Sequence, residues 1–301
     1  MTFAQPWSAH LAGLRVHRQT SLPWVAHFSD PWIDSPYWRG SVAQRAAAAT
    51  LEEDVIREAT SVVFVTEEAA DLVMRKYPAD WRKKAAVVPH GFVGQPHGSL
   101  PSRSAEGAPA GPLRLVYTGR FYDGLRTPTT MLRALAAVDA ETPLAGVMQF
   151  TSVGPFVAGF TREAVALGID HLVQFKDRVP QAEARSIAAD ADVLVVIDAP
   201  TTGPSPFLPS KLIDYLPLGK PILGITPCDG ASATLIRRVG GIVAAPDDEG
   251  AVRIALRDLV GRWREGRLGV APDFDRVVAD YDIAKTTAVF SEVLTRAFAA
   301  R

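Results

Sequence analysis

Residues 193–225 read VLVVIDAPTTGPSPFLPSKLIDYLPLGKPILGI. An aliphatic run, Val193–Ile197, leads through a Pro- and Gly-punctuated loop into a helix-period segment beginning at Ser210, and then into a second short aliphatic run, Pro221–Ile225. Two short apolar runs joined through a helix are the repeating unit of a parallel sheet, since parallel neighbours need a long crossover connection. The alternation continues outward in both directions. Further strand candidates are Trp24–Phe28, Val62–Val65, Ala86–Val88, Leu113–Tyr117, Val147–Thr151, Leu172–Phe175 and Gly241–Ala244, with helical patterns between them. The chain therefore reads as α/β.

Composition narrows the function classes. The chain has 301 residues, 48% hydrophobic and 22% charged, with 32 basic against 33 acidic side chains. This excludes disorder and collagen-like repetition, and the length fits two domains at roughly 150 residues each. Balanced charge leaves no overall positive field to gather nucleic acid, so any anion must be bound locally. The single cysteine, Cys228, excludes an internal disulfide and a zinc cluster of several thiolates; it is expected as a buried apolar filler. No apolar run approaches the roughly 20 residues of a membrane span, and a cytoplasmic protein is expected. Arg82, Lys83 and Lys84 beside Trp81 read either as a solvated basic turn or as a contact to anionic lipid at the inner membrane face.

Between Gly94 and Pro112 the sequence becomes GQPHGSLPSRSAEGAPAGP, which has no apolar periodicity and reads as a linker. The expected domains are thus 1–93 and 113–275, followed by an amphipathic helix within 276–301. That helix, Arg276 to Phe298, would bury Val277, Tyr281, Ala284, Ala288 and Val289 against either domain. The first domain opens with a helix-like stretch, Ser8 to Arg18, and shows only three strands. Either this half is minimal or its opening strands are absent, which would leave an edge through which the chain would self-associate.

Ligands of open α/β sheets bind beyond the carboxyl ends of the strands. After Leu113–Tyr117 comes Thr118-Gly119-Arg120-Phe121-Tyr122-Asp123-Gly124-Leu125-Arg126: Gly119 permits close backbone approach, and Arg120 and Arg126 suit bidentate contact to a diphosphate. After Val193–Ile197 the Pro209-Ser210 punctuation starts a helix, where Ser210 and Lys211 would meet an anion; Asp214, one turn on, would accept from ribose hydroxyls. Solvated arginines and an ordinary helix start are the alternatives. Asp30, after Trp24–Phe28, would orient a substrate hydroxyl or simply start a turn. His27 lies on the opposite strand face from Trp24, Ala26 and Phe28. Pro89-His90-Gly91-Phe92, before the linker, would form a hinge or cleft wall. Asp190-Ala191-Asp192 resembles a metal-binding Asp-x-Asp but precedes its strand, at the wrong end for a ligand, so no metal site is expected. There is no Walker-type loop and no Gly-x-Gly-x-x-Gly after a strand.

Taken together, the Thr-Gly-Arg-Phe-Tyr loop, Val153-Gly154, ADADVLVVI (189–197) and SPFLPSKLIDYLPLGKP (205–221) resemble the donor half of family-four glycosyltransferases of GT-B fold. LPWVAHFSDPW, VVFVTEEAADLVMRKYP and VVPHGF are similar to the later part of that family's N-terminal domain. The resemblance implies two Rossmann-like parallel-sheet domains, the N-terminal one incomplete. It implies retaining transfer of a sugar from a nucleotide diphosphate sugar to an acceptor hydroxyl, without cofactor or metal, in cell-envelope or polysaccharide synthesis. Arg120 and Arg126 would then stabilise the leaving diphosphate, Ser210 and Lys211 cradle phosphate, Asp214 bind ribose and Val179 contact the base. The family's first motif Glu falls at Ser205 or Pro206, and Ala4 or Gln5 stands where it often has histidine. Two other readings are open: a non-catalytic nucleotide-binding chain needing a partner, and a nucleotide-sugar epimerase using His27, Asp30 and His90.

Overall fold

The computed structural model describes residues 1–94, 111–122, 124–155 and 158–299. Most of the expected linker, residues 95–110, lies outside them, as does Asp123. The chain forms two compact units: Met1–Val93 with Pro204–Leu208 and Asp280–Arg301, and Gly94–Gly203 with Pro209–Ala279.

The first unit runs β1 (Thr2–Ala4), α1 (Ser8–Thr20), β2 (Val25–Phe28), α2 (Val42–Glu58), β3 (Ser61–Phe64), α3 (Glu67–Met74), a 3-10 turn at Ala79–Lys84 and β4 (Ala85–Val87). Its sheet is parallel throughout, in the order β1-β2-β3-β4. The sheet therefore has one strand more than the sequence shows, because a three-residue edge strand carries no period to read. Strand alternation splits β2 between two cores. Trp24, Ala26 and Phe28 pack with Leu14, Val55, Ile56 and Val73 on one face, while Val25 joins Val63, Val88, Val293 and Ala297 on the other.

Those last two residues belong to α11 (Ile283–Ala299), so the expected single helix is in fact broken. A short helix, α10 (Phe274–Val278), and a 3-10 turn at Ala279–Tyr281 precede it. The break has a backbone cause: Phe92 N–H donates to Tyr281 O at 2.9 Å, Ile283 N–H donates to Phe92 O at 3.1 Å, and the Asp282 carboxylate accepts from Ala284 N–H at 2.7 Å. These bonds replace the helical ladder and reset its phase. Val277 is buried as expected, but Ala284, Ala288 and Val289 are exposed, and α11 instead buries Thr286, Val293 and Ala297.

The second unit contains β5 (Leu113–Thr118), α4 (Thr129–Glu141), β6 (Met148–Val153), α5 (Ala158–Ala166), β7 (Val173–Lys176), α6 (Gln181–Ala189), β8 (Val193–Ile197), α7 (Ser210–Tyr215), β9 (Ile222–Ile225), α8 (Ala231–Arg238), β10 (Ile242–Ala244) and α9 (Glu249–Arg264), and it ends with α10. The strand order is β10-β9-β8-β5-β6-β7, parallel throughout. β8 is central and wholly buried, which is why its sequence is an unbroken aliphatic run. The winding reverses where β5 meets β8, and the crevice at such a switch point is where ligands of this class of sheet bind.

At three local readings the structure shows the neighbours. Cys228, expected as a buried filler, is exposed in the loop between β9 and α8, because the chain has already left the sheet at Ile225. In the basic turn, Arg82 pairs with Glu67 and Asp71, and Lys84 Nζ donates to the carbonyls of Arg57 and Ala59 at the end of α2. No described helix is long and apolar enough to cross a membrane. Asp192 accepts from Arg114 N–H at 2.8 Å, stitching the start of β8 to that of β5.

One buried charge fastens the segment after β2. Glu52 on α2 is 0% exposed, and its carboxylate accepts from Ile33 N–H at 3.0 Å, Lys76 Nζ at 2.5 Å and Tyr77 OH at 2.8 Å. Glu52→Leu should cost about 2–3 kcal/mol in chemical denaturation, since three donors lose their acceptor while Lys76 keeps Asp34. Two imidazoles in the same unit, His10 and His27, are held mainly by burial at about 4, below the ordinary histidine value of 6.5. The unfolded chain then binds more protons between those values, so stability falls as pH drops from 6.5 towards 4. A denaturation midpoint that declines between pH 7 and 5, and declines less in His10→Gln, is the expected outcome.

Candidate functional site

Four strands of the second unit deliver residues to the switch point. Gly119 leaves β5 with φ +138°, a conformation suited to glycine, and its N–H donates to Val153 O at 2.8 Å. Gly154, at the end of β6, lies so close that a Cβ there would collide with the Gly119 carbonyl. Asp198 directly follows β8, and Thr226 directly follows β9. Over this rim α7 places Lys211, and the loop after β5 folds back through mutual backbone hydrogen bonds of 2.8 Å between Tyr122 and Arg126.

Lys211 Nζ sits 3.7 Å from the centroid of the Tyr117 ring, buried and with no hydrogen-bond acceptor among the described residues. A Cβ on Gly119 would come within 2.5 Å of it, so the glycine is what leaves the amine room. The Arg126 guanidinium lies 3.8 Å from Asp198 Oδ1, donates to Arg120 O at 3.2 Å and covers the Tyr122 ring at 4.9 Å. The Tyr117 hydroxyl donates to the same Arg120 carbonyl at 3.0 Å. Asp198 Oδ2 accepts from Thr226 Oγ1 at 3.0 Å. Behind this layer Tyr215 OH accepts from Thr118 N–H at 2.8 Å, tying α7 to the end of β5.

The electrostatics follow from burial of two cations with one carboxylate. Desolvation, and then the neighbouring Arg126 charge, pull the Lys211 amine down to about 7 against the opposing effect of Asp198. Desolvation likewise pushes the Asp198 carboxyl up, while Arg126 and Lys211 hold it down. A buried amine with no acceptor among the described residues is suited to receive an anion.

The structure thus brings together Gly119, Arg126 and Lys211 of the expected site. Arg120 takes part through its carbonyl, its side chain being exposed. Ser210 is the exposed first residue of the six-residue α7. Asp214 follows on the outer side of that helix, its carboxyl pushed up by partial desolvation against the pull of Arg185. Val179 is half-buried in the turn between β7 and α6. Asp198, Thr226 and Tyr117 escaped sequence reading. Asp198 carried a signal nonetheless, as the first polar residue after the central aliphatic run.

In the first unit, Asp30 follows β2 and His90 follows β4, and the two interact electrostatically. Burial pushes the Asp30 carboxyl up and the His90 imidazole down. The His27 ring lies 6.3 Å from that of His90 and 4.8 Å from Phe3. These groups form a partly desolvated acid and imidazole cluster at the carboxyl edge of that sheet.

Comparison with known proteins follows the same lines. No family model matches the chain. It is 28% identical over 208 residues to a D-inositol 3-phosphate glycosyltransferase of Saccharomonospora viridis, covering 66% of this chain and 44% of that protein. It is 27% identical over 267 residues to the enzyme of the same name from Streptomyces avermitilis, covering 83% and 55% respectively. The chain therefore spans about half the length of these curated relatives. Among solved structures, HepE of Anabaena in complex with UDP superposes with TM-score 0.71 at 15% identity, covering 97% of this chain and 78% of that one. Sucrose-phosphate synthase of Thermosynechococcus elongatus gives TM-score 0.70 at 17% identity, covering 98% and 73%. The fold is thus that of GT-B glycosyltransferase structures, an α/β chain with two parallel-sheet domains.

Proposed function

We propose that the chain is a glycosyltransferase that moves a sugar from a nucleotide diphosphate sugar to an acceptor hydroxyl, in the synthesis of cell-envelope or polysaccharide material. The observation that carries this reading is the pair of cations, Lys211 and Arg126, gathered at the β5/β8 switch point around one buried carboxylate. The named activity of the curated relatives and the nucleotide held by HepE point the same way.

On this reading the diphosphate lies against Lys211 Nζ and Arg126. The bond between the sugar's anomeric carbon and the diphosphate oxygen breaks, negative charge grows on that oxygen, and the fixed cations stabilise it. The acceptor oxygen bonds to the anomeric carbon and its proton passes to the departing diphosphate oxygen. Arg120 supplies a further, mobile cation, Asp214 holds the ribose and Val179 lies against the base, with Gly119 and Ser210 offering backbone. In the first unit Asp30 orients the acceptor hydroxyl. No metal is needed, because cationic side chains take its charge-neutralising role, and retention of configuration is part of the proposal.

A second reading is a non-catalytic nucleotide-binding chain that works with a partner. It is favoured by Ser205 and Pro206, which occupy the family's first motif position without a carboxylate: Ser205 is 2% exposed, and the Pro206 carbonyl accepts from Thr66 Oγ1 at 2.8 Å. Nucleotide-sugar hydrolysis or transfer by the purified chain rejects this alternative.

Titrating UDP, GDP and ADP calorimetrically, with and without chelator, tests the donor site. Selective saturable binding, unchanged by chelator, is expected, and absence of binding overturns the reading. Arg126→Ala should weaken binding by about 1–3 kcal/mol, the range for hydrogen bonds to charged groups. Arg120→Ala should weaken it less, because that side chain is solvated.

A further inference from the structure

The site holds more cationic capacity than its one carboxylate satisfies. Lys211 Nζ has an aromatic face on one side and no acceptor among the described residues, while Arg126 reaches Asp198 only at 3.8 Å. Asp198 itself is anchored elsewhere: its Oδ2 accepts from Thr226, its N–H donates to Ile225 O at 2.9 Å, and Ser232 adds a further hydrogen bond. A carboxylate fixed in this way serves as a stationary counter-charge and cannot close onto both cations.

We propose that Asp198 is a positioning residue, an internal counter-anion that keeps Arg126 and Lys211 at the switch point, and that binding of a diphosphate is coupled to capture of one proton by Lys211 Nζ. This rests on the donor reading above and adds its regulation by pH. The charged and titratable groups facing the amine are Arg126 from the loop after β5, Asp198 from the end of β8 and the Tyr117 ring from β5. In the ligand-free protein desolvation and Arg126 favour the neutral amine, against Asp198 and the face of the Tyr117 ring. A diphosphate brings negative charge into contact and reverses that balance. The amine lone pair accepts a proton from solvent or buffer acid, and the ammonium so formed donates to a phosphate oxygen. Nothing is oxidised or reduced.

The test is calorimetry of UDP and of inorganic pyrophosphate at pH 6, 8 and 9, in buffers of different ionisation enthalpy. With the free amine at about 7, roughly nine-tenths of it is neutral at pH 8. A nucleotide phosphate, with its second pKa about 6, is by then ionised and masks nothing. Uptake of close to one proton per UDP is expected at pH 8, falling towards none at pH 6, and affinity should drop about tenfold from pH 8 to pH 9. Lys211→Met should bind more weakly, with no uptake and a flat pH profile. Binding without uptake in the unaltered chain overturns the coupling and leaves the donor reading standing. Absence of binding by UDP, GDP, ADP and pyrophosphate alike overturns both. Asp198→Asn removes the charge that holds the amine up and Arg126 in place, so proton uptake should persist down to pH 6 and pyrophosphate should bind more weakly at pH 8. Thr226→Val, which takes one hydrogen bond from the ionised carboxylate, should shift the uptake profile in the same direction by less. An uptake profile left unmoved, or binding that tightens, in both variants overturns the counter-anion role.

Discussion

A lysine amine held over an aromatic ring, without a hydrogen-bond acceptor among the described residues, is the constraint around which the second unit is arranged. Burying such a group is unfavourable unless charge or a ligand compensates. Compensation here comes from several elements at once. Tyr117 on β5 supplies the ring, Gly119 removes the side chain that would occupy the amine's place, and Asp198 at the end of β8 supplies the opposite charge. Tyr215 locks the helix carrying Lys211 to Thr118 on β5. Each of these residues stands at the carboxyl rim of β5 or β8, or on the helix that follows β8, because the reversal of winding opens a crevice only there. The position of the site therefore follows from the strand order, and its chemistry from which side chains the rim exposes.

The first unit is built by the same parallel rule around a different chemistry. Its rim carries a carboxyl and imidazoles, Asp30, His27 and His90, instead of paired cations. Burial works on the two rims in the same sense, against charge: it favours a neutral amine on one and neutral imidazoles on the other.

Much of this was legible from residue patterns. The aliphatic runs mark nine of the ten strands of the described residues, most plainly β2, β8 and β9, which are buried throughout, and Gly119, Arg126 and Lys211 follow from looking beyond strand ends. What stayed hidden has physical causes. β1 is too short to show a period. The break before α11 depends on backbone bonds to Phe92, nearly two hundred residues away in the chain, which no local pattern encodes. Arg120 and Arg126 look equivalent in sequence. Only the fold shows that one contributes a carbonyl and the other a guanidinium. Asp198 reads as an ordinary residue after a strand until the fold sets it beside two cations.

The most direct measurement is a crystal structure of the chain with UDP. The account predicts diphosphate oxygens within hydrogen-bonding distance of Lys211 Nζ and of the Arg126 guanidinium, at the rim between β5 and β8. A nucleotide bound elsewhere, or one bound there while Lys211 keeps only the Tyr117 ring as its neighbour, would contradict it.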